Sequence, residues 1–172
     1  MRWLPLLAAD HQPISWKEEE DSGAVPVVSH NTALFEPVIR PSAVQWMLHL
    51  PATALETIHA RASNKRHAWQ RFVAVRVPSG DALPMEPLVF PEAIAIVDRH
   101  YNSLLAYRPG RANLYAVRNG PHLALRYVEF LSSRLVLRPH NIAYPIELID
   151  VDPGESPNDF LAGRVALILN EL

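Results

Sequence analysis

Cysteine is absent from all 172 residues. That excludes disulfides, iron–sulfur clusters and thiolate zinc sites, and it fits a reducing cytoplasm. Glycine is scarce, with six dispersed residues, so no phosphate-cradling loop can be drawn. No apolar run nears the ~18 residues needed to cross a bilayer. The apolar start from Met1 to Ala9 is brief, and Pro13 and the acidic run Glu18-Glu19-Glu20-Asp21 follow it, unlike a signal peptide. Positive charge is not in excess either: the net charge is −2 and the pI is near 6.4, which is no footprint for nucleic acid. The expectation is a soluble, cytoplasmic chain that binds DNA poorly by itself and carries no cofactor.

What the chain does have is apolar content and proline. Hydrophobic residues make up 49% against 20% charged, which suits one domain with a proper core rather than a disordered chain. Sixteen prolines punctuate short β-branched runs, as at strand edges and turns. Residues 1–22 read as an acidic, proline-broken linker and 23–172 as the domain.

Val25-Pro26-Val27-Val28 opens the domain as a short strand, with Pro26 suggesting a sheet edge. Val44, Met47 and Leu48 have helical spacing within 42–50. Pro51 to Arg66 is the strongest helix candidate, with a Leu55, Ile58 and Ala62 stripe and cations at its end. The period then changes to two. Phe72–Val77, Ala93–Asp98, Arg134–Arg138, Pro145–Ile149 and Gly163–Leu169 read as strands. Leu114–Arg118 and His122–Val128 flank Asn119-Gly120, a type I′ hairpin signal. The fold class is mostly β, hairpins with one helical insertion at about 42–66. Trp46 and Trp69 are expected to pack that insertion against the sheet.

Taken in order, these segments resemble the C-terminal domain of LexA, UmuD and the lambda-type phage repressors. Val25–Val28 is similar to the family's opening Val-Pro-Leu-Val strand, and Ala33-Leu34 falls where the family places its scissile Ala-Gly bond. Met85-Glu86-Pro87 resembles the end of Ser-Met-Glu-Pro, and Ile94–Asp98 the strand after it. Leu125-Arg126-Tyr127-Val128 resembles the strand that carries Val-Lys-Arg-Leu. Leu137-Arg138-Pro139-His140-Asn141 with Tyr144-Pro145-Ile146 resembles the family's Leu-X-Pro-X-Asn-X-X-(Tyr/Phe)-X-Pro-Ile, and Gly163-Arg164-Val165 closes the match, which covers roughly 25–172.

The resemblance implies self-cleavage by a serine activated by a neutral, desolvated lysine. The matching positions are Pro84 for the nucleophile and Arg126 for the base, and Leu34 replaces the glycine of the cleaved bond. Proline has no side-chain heteroatom, and an arginine holds its proton too firmly to act as a base. Catalytic residues are therefore expected to be absent. Ser79 could serve only on a different register, and Asp98, His100 and Ser103 could form a relay only if neighbours at one strand end faced one another, which they rarely do. The eight histidines are scattered, with no His-Glu-X-X-His, so no metal site is expected and structural histidines are the better account. Asn141 reads as fixing its own turn.

Several functional readings stay open. One is a non-cleaving regulatory and dimerisation domain of a transcriptional regulator, a homodimer paired through Leu161–Leu169 and the preceding strand. In that reading DNA is reached only through a helix-turn-helix not present in this chain, which is then a fragment, a misassigned start or a stand-alone remnant. A second is a stand-alone module holding a peptide or small ligand in the former cleavage groove, covered by the early helix. The third is an active self-cleaving peptidase with displaced residues.

Overall fold

A computed structural model describes residues 22–51, 53–59, 64–105, 107–110 and 112–171. The linker expectation for 1–22 lies outside these, save for Ser22, which opens the first strand. Nine strands among the described residues join one mixed sheet: β1 Ser22–Val28, β2 Val44–Pro51, β3 Phe72–Arg76, β4 Ile94–Asp98, β5 Leu114–Asn119, β6 His122–Leu131, β7 Arg134–Arg138, β8 Glu147–Asp150 and β9 Leu161–Leu169. Their order across the sheet is β2-β1-β3-β4-β9-β5-β6-β7-β8. Every neighbouring pair is antiparallel except β1 and β3. The mostly-β expectation is met.

Period-two alternation explains how the sheet fills its cores. Val73, Val75, Val77, Ala95 and Val97 enter the largest buried cluster with Leu114, Ala116, Leu123 and Leu125 from β5 and β6. The intervening Ala74, Ile94 and Ile96 join Val25 and Val27 in another cluster. Tyr115, Val117, Val128, Leu135 and Leu137 form a third. All five residues of β4 are buried, as expected of a strand covered on both faces. Two short helices, α1 His30–Phe35 and α3 Ser79–Ala82, add Ala33, Leu34 and Ala82 to the largest cluster.

The helical insertion is corrected. Residues 44–51 form β2, paired with β1 in the register Trp46↔Val27, Met47↔Pro26 and Leu48↔Val25. The same residues alternate, and the ladder to β1, with Leu48 and Leu50 packed beside Val25 and Val27, outweighs their helical spacing. In the 51–66 region only α2 Thr53–Glu56 and a 3₁₀ turn Asn64–Arg66 are helical among the described residues. Ala62 lies outside them. Arg66 is not an exposed helix-end cation: it is buried and donates to the carbonyls of Leu161 and Ala162 at 3.1 and 3.4 Å.

Three smaller expectations also change. β1 is not an edge; Pro26 is tolerated because β1 meets β3 in register only at Val27↔Ala74, so little ladder donation is demanded there. β9 lies between β4 and β5 but meets β5 only over Leu161–Arg164, while β4 pairs with it from Arg164 to Leu169, so the expected pairing surface keeps an uncovered strand side over Val165–Leu169 alone. Trp46 is 40% exposed on the outer strand, whereas Trp69 lies between Arg66 and Arg99, whose guanidinium carbons stand 3.6 and 5.0 Å from the ring.

Candidate functional site

The positions singled out by the resemblance converge on β6. Both α1 and α3 pack against that strand. Pro84 sits in a 3₁₀ turn, Leu83–Met85, that continues α3 directly. Proline suits this turn because its fixed φ is preset for a first helical position. The ring is buried, and its carbonyl accepts from the Asn141 N–H at 2.9 Å. Asn141 Oδ1 in turn accepts from the Ala143 N–H at 3.0 Å, the local turn-fixing role expected of it.

Arg126 is 3% exposed, and each of its three guanidinium nitrogens donates a hydrogen bond. Nε and Nη2 donate to Glu147 Oε1 at 3.2 and 2.9 Å. Nη1 donates to the carbonyl of Leu125 at 2.8 Å and reaches that of Asp81, on α3, at 3.4 Å. Glu147 is held from its other oxygen by Asn119 Nδ2 at 2.8 Å. The guanidinium thus ties β6 to the edge strand β8 and to the helix leading into Pro84. Burial raises the Asp81 carboxyl above its ordinary range, an effect opposed chiefly by the charge of Arg126 and aided by Glu147.

Ala33 and Leu34 lie within α1, fully buried and 7% exposed. Ser29 caps this helix, its Oγ accepting from the Thr32 N–H at 3.1 Å, and the Ala33 N–H donates to the Ser29 carbonyl at 3.0 Å. The C-terminal carbonyls of α1 are met by Arg99, which is fully buried. It donates to Glu36 and Pro37 at 2.6 and 2.9 Å, to Ala33 at 3.4 Å, and from Nε to Gln70 at 2.8 Å. Burial, with the Arg66 charge, brings Arg99 down to about 10, so it stays charged at neutral pH. A peptide bond wound into a capped helix in this way does not present the extended backbone that a nucleophile attacks.

His30 fastens the other side of α1. Its Nδ1 accepts from the Leu123 N–H at 3.1 Å and its Nε2 lies 2.8 Å from the Arg76 carbonyl. A backbone N–H can only donate and a carbonyl only accept, so this ring is neutral with its proton on Nε2. Beside it an open groove of about 440 Å³ is lined by Ser29, His30, Arg76, Glu92 and His122, with Arg76 and Glu92 paired at 3.1 Å. Gln45 of β2 also lines it, so the insertion borders this groove with a strand rather than a covering helix.

The other candidates do not assemble. Ser79 is exposed at the start of α3. The Asp98 carboxylate accepts from Arg71 at 3.1 and 3.0 Å and from the His100 N–H at 3.1 Å. His100 Nε2 instead lies 2.7 Å from the Trp69 carbonyl, and the buried Ser103 Oγ makes no hydrogen bond. No Ser/His/Asp relay exists there. Among the described residues no three His, Asp or Glu side chains converge as metal ligands.

Sequence reasoning missed Glu147, Asn119, Asp81, Arg99 and His30. The first two are brought to Arg126 only by the β5-β6-β7-β8 order, which no local pattern encodes. Asn119 was expected in the turn; it instead ends β5 opposite His122, and its amide holds Glu147. No family model matches this chain, and no curated protein matches it.

Proposed function

We propose that this chain is a non-cleaving, LexA-like regulatory and pairing domain of a transcriptional regulator, with DNA contact supplied by a separate helix-turn-helix. The observation that carries this reading is the state of the three positions where the resembling family does its chemistry. Pro84 offers no nucleophile. Arg126 stands where a base is required, and its nitrogens are committed to Glu147, Leu125 and Asp81. The Ala33–Leu34 bond is helical and buried. Each replacement makes structural contacts, so the fold gains rigidity where the family keeps a reactive centre.

A domain of this kind acts by holding two DNA-binding heads together. The test is to fuse the chain behind a monomeric helix-turn-helix head that represses its operator only when paired. Repression by the fusion supports the proposal; a fusion no better than the head alone contradicts it. The groove beside His30 favours a second reading, a module that holds a peptide or small ligand. Its rim is polar, with the Arg76–Glu92 pair on one side and His122 on another. Isothermal titration with peptides of mixed sequence separates the two readings.

A further inference from the structure

Natural sheets protect their outer strands by making them short, charged or bulged, because an open ladder recruits another strand. The two outermost strands of this sheet, β2 and β8, differ sharply in that respect. β8 is short, and two of its residues are carboxylates: Glu147 is tied to Arg126 and Asp150 to Arg134. β2 runs for eight residues, Val-Gln-Trp-Met-Leu-His-Leu-Pro, without one Asp, Glu, Lys or Arg. Among the described residues it has a strand neighbour on one side only, and its single register irregularity falls at Val28↔Val44, near its start. Trp46 and Met47 are 40% and 42% exposed along it. The apolar groove beside Met47, lined by Pro26, Ile39, Pro41 and Val44, extends this face.

We infer that β2 is the pairing edge, and that its occupant is the β2 strand of a second copy, giving one continuous sheet across the dimer. This rests on the pairing reading above and names the surface through which it acts. The argument for a second copy is self-complementarity. Two antiparallel strands related by a two-fold axis oppose residues that point to the same face. Centred on Met47, the register places Met47 against its own copy, Trp46 against Leu48, and Gln45 against His49. Apolar side chains meet apolar ones, polar meets polar, and no charge is opposed to a like charge anywhere along the strand. β8 has no such register, since any self-pairing there gathers four carboxylates along one short ladder.

The absence of cysteine makes a direct test available. In the full chain, Met47→Cys places two thiols at directly opposed positions, and mild oxidation is expected to yield a covalent dimer at low protein concentration. Leu148→Cys, on β8, is the control and is expected to stay monomeric on a denaturing gel. In parallel, sedimentation is expected to find the wild type at twice the 19.3 kDa chain mass. Trp46→Lys should weaken the dimer at least about tenfold, and Leu148→Lys should leave it unchanged. A dimer that cross-links through position 148, or dissociates on Leu148→Lys but not on Trp46→Lys, overturns the inference while leaving pairing intact. A wild type that stays monomeric at high micromolar concentration overturns both, including the case in which residues 1–21 of the same chain occupy the edge.

Discussion

Replacing Arg126 by methionine keeps most of the apolar stem and removes the guanidinium that joins β6, β8 and α3. Three acceptors then lose their donors: Glu147 Oε1 and the carbonyls of Leu125 and Asp81. Stranding a fully buried ionic partner costs about 3–5 kcal/mol. Glu147 is 37% exposed and keeps Asn119, so much of its charge is rehydrated and the figure must be discounted. The expected loss is about 2 kcal/mol, near 4–8 °C in Tm for a domain of this size. Glu147→Gln retains an acceptor oxygen and should cost about 1 kcal/mol. If the two groups act as one unit, Arg126→Met with Glu147→Gln should fall short of the sum by about 1 kcal/mol. Guanidinium unfolding followed by circular dichroism on the four proteins measures all three quantities. Arg126→Met within about 0.5 kcal/mol of wild type, or strictly additive single changes, would refute the structural role assigned to this residue.

Three further perturbations follow from the same geometry. A Cβ on Gly163 would stand 2.2 Å from the Asp98 carbonyl oxygen and 2.7 Å from its carbon, both backbone atoms in a fully paired strand. Gly163→Ala should therefore cost about 3 kcal/mol or more, whereas Gly154→Ala, with nothing within 4 Å, should be neutral in a thermal melt. Asp81 is raised above its ordinary 3.8 by burial, so its contribution to stability is complete below pH 3.8 and is lost as pH rises through the raised value. Asp81→Asn should then be more stable than wild type at neutral pH, with the gap closing at acid pH in denaturant titrations; a destabilised variant at neutral pH would reverse the sign. Installing the dyad of the family it resembles, with Pro84→Ser and Arg126→Lys, should still give no cleavage on a gel, because the Ala33–Leu34 bond remains helical and buried.

Much of the sheet was legible because its signals are local. Asn119-Gly120 announced the β5–β6 hairpin, which forms, but not through the expected type I′ turn: Asn119 ends β5 paired with His122, so the loop is Gly120-Pro121 and only Gly120, at φ 63°, takes a positive φ. Strand β3 was legible from its alternation, which places Val73, Val75 and Val77 in one cluster. Residues 44–50 satisfy both a helical stripe and an alternation, and only the presence of β1 decides between them. The same holds for the site. Residue types at positions 84 and 126 could be weighed from the chain alone, but Glu147 and Arg99 acquire meaning only from strand order and burial. Buried arginines such as Arg66 and Arg99 carry no pattern in sequence that separates them from surface cations.

The central proposal is that this chain does not cut itself. Intact-mass measurement of the purified full chain after prolonged incubation at alkaline pH tests it most directly. The account predicts one species at the undivided mass of 19.3 kDa at every time point. Two fragments meeting at the Ala33–Leu34 bond would contradict it.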